Sequence, residues 1–302
     1  MSRKGTVALA AVVFACVATA AAAAARHGGE TGAFPVTVHA ANGAVTLTKA
    51  PTRIVSLSPT ATEDLYTVGA GSQVVAVDDQ SDYPKRAPRT NLSSYTPNAE
   101  AISAYRPDLV IVSSDGGIVA ALGKLHVPVL LEPPASTLAG AYSEIDQLGL
   151  ATGHRAQAKV EVAKLKRQLA AVVATVPDSA HGLKVYDELS PDHYSATSQT
   201  FIGKIFSLFG LKDIADEADP THSGYPQLSG EYILAQDPDI VVLSDVKCCG
   251  QNPKTVAARP GWSQLSAVEH QRVVAVNDDV ASRWGPRIIQ FAKALAAAMR
   301  RA

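Results

Sequence analysis

The sequence predicts an α/β protein of two lobes, each built on a parallel sheet, joined by one long helix. Three observations carry that prediction. One pattern, Glu-x-Ile-x-Ala-x-x-Pro-Asp followed by four apolar residues and Ser, occurs at 100–113 and again at 231–244. The apolar runs after each Pro-Asp are continuous rather than alternating, which suits strands buried on both faces of a parallel sheet. Between the copies, residues 138–176 contain no proline and read as helix.

A chain of 302 residues with 47% hydrophobic and 18% charged content can bury two domain-sized cores without metals or many disulfides. A net charge of −1 leaves no basic excess for phosphates, which argues against a nucleic-acid partner.

At the amino end, Arg3 and Lys4 precede an apolar, alanine-rich stretch, so residues 1–25 read as an export signal. Cys16 follows Val13-Phe14-Ala15, a spacing similar to a bacterial lipoprotein cleavage site. Three readings stand: a lipid anchor on Cys16, a secreted chain cut after the alanine run, and an uncleaved anchor. All three export the chain. Residues 26–50 are a linker and a β-hairpin leader, with alternating segments at 36–39 and 45–48 around Asn42-Gly43.

The first lobe covers 51–135. It opens with a strand at 53–57, then a helix capped by Thr62 and stopped at Gly69, and a strand at 74–77 ending in an Asp78-to-Pro84 loop. The helix capped by Asn98, the strand at Leu109, a short helix to Lys124 and a strand at 127–131 complete it. Connecting helices fill 136–180, with Gly149 and Gly153 breaking them. The piece at 155–173 puts Val162, Leu165 and Leu169 on one side, spans about 30 Å and bridges the lobes.

The second lobe, 181–302, restarts the plan. Strands are expected at 184–186, near Ile214, at Ile240 and at 273–276. Helices are expected at 201–209, from Ser229, near 262–268, and finally through Ile288, Phe291, Leu295 and Met299. Ligands of such sheets gather at the carboxyl ends of the strands.

Motifs for catalysis are missing. Asp192-His193-Tyr194-Ser195 holds acyl-transfer ingredients, but sequence neighbours rarely form a triad, and there is no G-x-S-x-G. No H-E-x-x-H, paired C-x-x-C, P-loop or G-x-G-x-x-G occurs, so neither a cofactor nor a metal site is expected. Cys248 and Cys249 would tend to oxidise in an exported protein. Their Cα atoms, about 3.8 Å apart, fall below the roughly 4.4–6.8 Å usual for a bridge. A strained ring between them, two free thiols, or pairing with another chain remain open. Glu100 and Glu231 each stand in the first turn of a helix, where an acid is stabilised by about 0.3–1 kcal/mol. Their equivalent places also suit a paired docking surface.

The hairpin, Arg53-Ile-Val-Ser-Leu-Ser-Pro59, the Ser81-Asp-Tyr-Pro84 loop, Asn98-x-Glu100, both Pro-Asp strands and Ser282-Arg-Trp-Gly-Pro-Arg287 together resemble the substrate-binding proteins of iron-siderophore and cobalamin ABC importers. The resemblance covers nearly all of the exported chain. It implies two Rossmann-like lobes, a ligand in the cleft between them, little closure on binding, and an ABC permease dimer whose arginines meet one Glu per lobe, here Glu100 and Glu231. It further implies cleft positions at Tyr83, Asp115, Tyr194, Arg283 and Trp284, with Glu188 and Asp279 as polar seconds. Gln80 stands where cobalamin-binding members carry an aromatic. The expected cargo is therefore a ferric siderophore, with a corrinoid as the alternative. A sensor without a permease, or an extracellular hydrolase using Ser195, are the readings of another class.

Overall fold

The computed structural model describes residues 34–301. The export signal and Cys16 lie outside the described residues. Strands β1 (Val36–Ala40) and β2 (Gly43–Leu47) form the hairpin, with Ala40 opposite Gly43. The two turn residues are therefore Ala41 and Asn42 rather than Asn42 and Gly43, and Gly43 carries the positive φ of 106°. Asn42 is thereby released to clasp a neighbouring strand. Its Nδ2 donates to the Val129 carbonyl (2.9 Å) and its Oδ1 accepts from the Leu131 N–H (3.0 Å). The leader thus covers a sheet edge that would otherwise be open to another chain.

The first sheet comprises β3 (Ile54–Leu57), β4 (Val74–Val77), β5 (Leu109–Val112) and β6 (Val129–Leu131), in spatial order β4-β3-β5-β6 and parallel throughout. The second comprises β7 (Lys184–Glu188), β8 (Lys212–Asp213), β9 (Ile240–Leu243) and β10 (Val273–Ala275), in order β10-β9-β7-β8 and again parallel. Counted by place within each lobe, both orders are second-first-third-fourth. The repeated motif is therefore a repeated topology. Every residue of β5 and β9 is buried, as their unbroken apolar runs require.

The Pro-Asp pairs also explain themselves. Arg106 and Asp237, just before the prolines, take left-handed φ values of 48° and 45° and end their helices. Asp108 then accepts from the Thr52 and Arg53 N–H groups (both 2.8 Å), and Asp239 from that of Lys184 (2.8 Å). Each aspartate pins the start of its lobe's first strand.

Helix α1 (Pro59–Thr67) is capped by Ser58, not by Thr62: the Ser58 hydroxyl accepts from the Ala61 N–H (3.2 Å). Proline at the first helical position has the right φ and no N–H to leave unpaired, which moves the start upstream. Helices α2 (Ala99–Ser103) and α3 (Ile118–Gly123) flank the first sheet. Next come α4 (Leu138–Thr152) and the bridge α5 (Arg155–Val173), about 28 Å long.

Gly149 does not break α4; only Gly153, at φ 81°, does. A Cβ at position 149 would lie 2.3 Å from that of Ala158, so Gly149 is the notch that lets α5 close onto α4. Gly149→Ala is expected to cost about 1–3 kcal/mol by overpacking. An unchanged urea midpoint would refute this.

The second lobe adds α6 (Phe201–Leu208), α7 (Gly230–Gln236), α8 (Val246–Cys249), α9 (Pro253–Ala257), α10 (Ser266–Glu269), α11 (Asp278–Ala281) and α12 (Ile288–Met299). The helix expected near 262–268 is split into a 3₁₀ turn at Trp262–Gln264 and α10. Ala158, Val162, Leu165 and Leu169 of α5 and Ile288, Phe291, Leu295 and Met299 of α12 share one buried cluster with residues of both sheets. That continuous core fixes how the lobes sit. Among the described residues, no helix is long and apolar enough to cross a membrane.

Candidate functional site

Parallel strands deliver their loops to one edge of each sheet, and ion pairs show that the two edges face each other. Lys247, on the short helix α8 after β9, reaches Asp82 after β4 (2.7 Å) and Asp279 after β10 (2.7 Å). Arg283 donates to Glu63 of α1 (2.9 Å), Asp82 (3.1 Å), the Gln80 carbonyl (2.9 Å) and Asp279 (2.9 Å). Arg287 grips Glu63 through two bonds (2.6 and 2.7 Å), and its guanidinium lies 4.5 Å from the centroid of the Tyr83 ring. Partial burial alone would raise the Asp82 carboxyl, but hydrogen bonds and charge from Lys247 and Arg283 outweigh it and bring it to about 2. The facing strand-end loops around these pairs are the candidate cleft.

Four of the seven expected cleft residues stand on these loops with surface to offer. Tyr83 is 43% exposed and Tyr194 45% exposed. Asp115 is exposed, and its carboxylate accepts from the Val119 N–H (3.0 Å) in the first turn of α3. Asp279 is half-buried and orients Lys247 and Arg283.

The other three differ from expectation. Glu188 ends β7 fully buried, bound at both oxygens by Arg259 (2.5 and 2.6 Å). Arg283 is 7% exposed and has three carboxylates and a carbonyl around it, so it ties the lobes together rather than waiting for an anion. Trp284 packs against the shared core and donates its indole N–H to Glu144 (2.5 Å). In each case an acid or base far away in sequence reaches the side chain first.

Tyr225 was not foreseen. The segment at 194–197 pairs antiparallel with 224–227, through Ser195 N–H to the Pro226 carbonyl and Thr197 N–H to the Gly224 carbonyl (both 2.9 Å). This brings Tyr225, 52% exposed, beside the Tyr194 loop. The only local signal was the Gly-Tyr-Pro turn chemistry. His193, next to Tyr194, stacks on Trp262 with centroids 5.5 Å apart, and Ser195 is buried with no partner for its hydroxyl.

Glu100 and Glu231 occupy the second position of α2 and α7, and both are exposed. Asn98 caps the first helix by accepting from Ala101 N–H (2.9 Å), and Ser229 the second by accepting from Tyr232 N–H (3.1 Å). Both helices lead into the middle strands β5 and β9. On α8, beside Lys247, the sulfurs of Cys248 and Cys249 are bonded to each other, with Cα atoms 3.8 Å apart. The Asp278 carboxylate caps that helix by accepting from Lys247 and Cys248 N–H (both 2.7 Å).

Behind the junction lie acids with too few partners. Burial, with the Glu132 charge adding to it, pushes Glu144 up to about 8 despite the Trp284 bond, and burial pushes Glu132 to about 7. Asp64, whose two oxygens have no partner, is raised by burial and then by Glu144, Glu63 and Glu132. Such groups hold a proton in the folded chain that the unfolded chain releases, so stability falls as pH rises. For Glu144 the contribution is full below its ordinary 4.5 and gone above about 8. Between about pH 5 and about pH 8.5, Glu144→Gln is expected to lose roughly 2 kcal/mol less stability than the parent chain in urea unfolding. Equal losses would contradict the assignment.

With this geometry in hand, comparison with known proteins is informative. Residues 54–280 match the family model described as periplasmic binding protein. The uncharacterized ABC transporter substrate-binding lipoprotein YvrC of Bacillus subtilis is 32% identical over 88% of this chain and 86% of its own. A cobalamin-binding protein of Halobacterium salinarum is 33% identical over 85% of this chain and 72% of its own. Among solved structures, the periplasmic heme-binding protein HutB of Vibrio cholerae aligns with a TM-score of 0.71 at 25% identity, covering 82% of this chain and 98% of that one.

Proposed function

This chain belongs to the periplasmic binding protein family, and on that premise we propose that it captures a metal chelate or related large solute outside the cytoplasm and hands it to an ABC permease. The observation that carries the reading is the pair of facing strand-end edges, tied by Lys247 and Arg283, from which Tyr83, Tyr194 and Tyr225 present exposed rings. Aromatic rings suit a large cargo because they cover apolar area with little loss of side-chain freedom. The shared core under α5 and α12 supports a cleft that changes little on binding. The task is to hold and release, not to make bonds.

In this reading Tyr83, Asp115, Tyr194 and Tyr225 touch the cargo, and Asp279 holds Lys247 in place. Glu100 and Glu231 meet two basic sites on a permease dimer, and a lipid on Cys16 keeps the receptor near it. The cargo is a ferric siderophore first, with a corrinoid, as in the name of the Halobacterium salinarum relative, second. Isothermal titration with a ferric trihydroxamate, cyanocobalamin and hemin is expected to find one cargo per chain. Tyr83→Ala with Tyr194→Ala should weaken it at least about tenfold. Heat from none of the three would count against the reading.

A further inference from the structure

The charges around the cleft sort into those that are spent and those that are not. Arg259 holds Glu188 and lies over the Trp262 ring (4.5 Å). Arg283 and Arg287 hold Glu63, with Asp82 and Asp279 on the first of them, and Lys247 holds Asp82 and Asp279. Among the described residues no acid pairs with Lys85, Arg86, Arg89 or Lys254, but all four are exposed, and a hydrated rim charge is screened within about 8 Å at physiological salt.

The acids are in excess. Asp187, next to last in β7, spends one oxygen on the Ser244 hydroxyl (2.7 Å) and leaves the other buried without a partner. Asp245, two residues past β9, is fully buried with both oxygens unpartnered. On the first lobe Asp78 leaves one buried oxygen unpartnered. Burial raises both Asp187 and Asp245 to about 7; the Asp245 and Glu188 charges add to the first, and the Glu188 and Asp278 charges to the second. Tyr225 feels the same group: burial first and the Asp187 charge second raise its phenol. The acids therefore sit just behind an exposed ring of the cleft.

Resting on the reading of this cleft as the cargo site, we infer that its cargo is neutral or cationic and that polyanionic chelates are rejected. A polyanion entering here finds Lys247, Arg259, Arg283 and Arg287 already paired with acids. It approaches instead a wall backed by buried carboxylates that lack counter-charges, and like charges brought together across a partly dry interface are strongly disfavoured.

The test is isothermal titration at about 0.15 M salt with three probes: a ferric trihydroxamate carrying a free ammonium, neutral cyanocobalamin, and a ferric tris-catecholate trianion. One of the first two is expected to bind at least about 100-fold tighter than the trianion. The isosteric Asp187→Asn, which can keep the Ser244 bond, should narrow that gap about tenfold. Circular dichroism confirms that this variant is folded, and raising salt on the parent chain should improve trianion binding if the variant is not. Tight binding of the tris-catecholate would overturn the charge inference and leave the receptor standing. Binding of none of the three, nor of hemin, would remove the receptor reading itself, and this inference with it.

Discussion

Reversing both exposed acids, Glu100→Arg with Glu231→Arg, is expected to abolish cargo uptake by cells while leaving cargo affinity within about twofold. Neither side chain is in the cleft machinery, and each projects from the first turn of a short helix whose cap is a neighbouring Asn98 or Ser229. Placing a cation at a helix amino end costs only about 0.3–1 kcal/mol per site, so the folded population barely changes. A rim charge reversal against a basic partner, in contrast, turns attraction into repulsion at both contacts at once. Each single reversal should leave partial uptake, because one lobe still docks. Full uptake by the double variant would remove the permease assignment while leaving cargo capture intact.

The second large effect is structural. Arg283→Met is expected to destabilise the fold by about 3–5 kcal/mol, because it leaves Asp82, Asp279 and part of Glu63 without the guanidinium that offsets their burial. For a chain of this size the loss corresponds to a fall in Tm on the order of 10 °C. Lys247→Met removes a pair of similar length, yet Lys247 is half exposed and its contribution should stay within about 1 kcal/mol. Differential scanning calorimetry of the two variants separates the roles. If Arg283→Met were as stable as Lys247→Met and lost cargo affinity instead, Arg283 would be a ligand contact.

Particular residues show what was legible before any coordinates. The Pro-Asp repeats and their apolar runs announced two equivalent parallel sheets, because burial on both faces leaves a mark within four residues. Gly153 and the helix at 155–173 were likewise local signals. Gly149 was misread: a glycine in a helix means a break only when nothing needs the space, and Ala158 of the next helix needs it. Thr62 was displaced as a cap because Ser58-Pro59 is the better start.

The site was less legible. Tyr83, Asp115 and Tyr194 stand on strand-end loops, as their positions implied. Arg283 and Glu188 do too, but Glu63 and Arg259 claim them from 220 and 71 residues away, a distance no periodicity can register. Tyr225 enters only because 224–227 folds back onto 194–197.

The claim beneath all of this is that one cargo sits between both lobes at once. Hydrogen exchange of the whole chain, with and without the tightest-binding chelate, tests it most directly. The account predicts slowed exchange together in 80–83 and 113–117 of the first lobe and in 193–195 and 224–227 of the second, with the bridging helix unchanged. Protection confined to one lobe, or appearing only away from these loops, would contradict it.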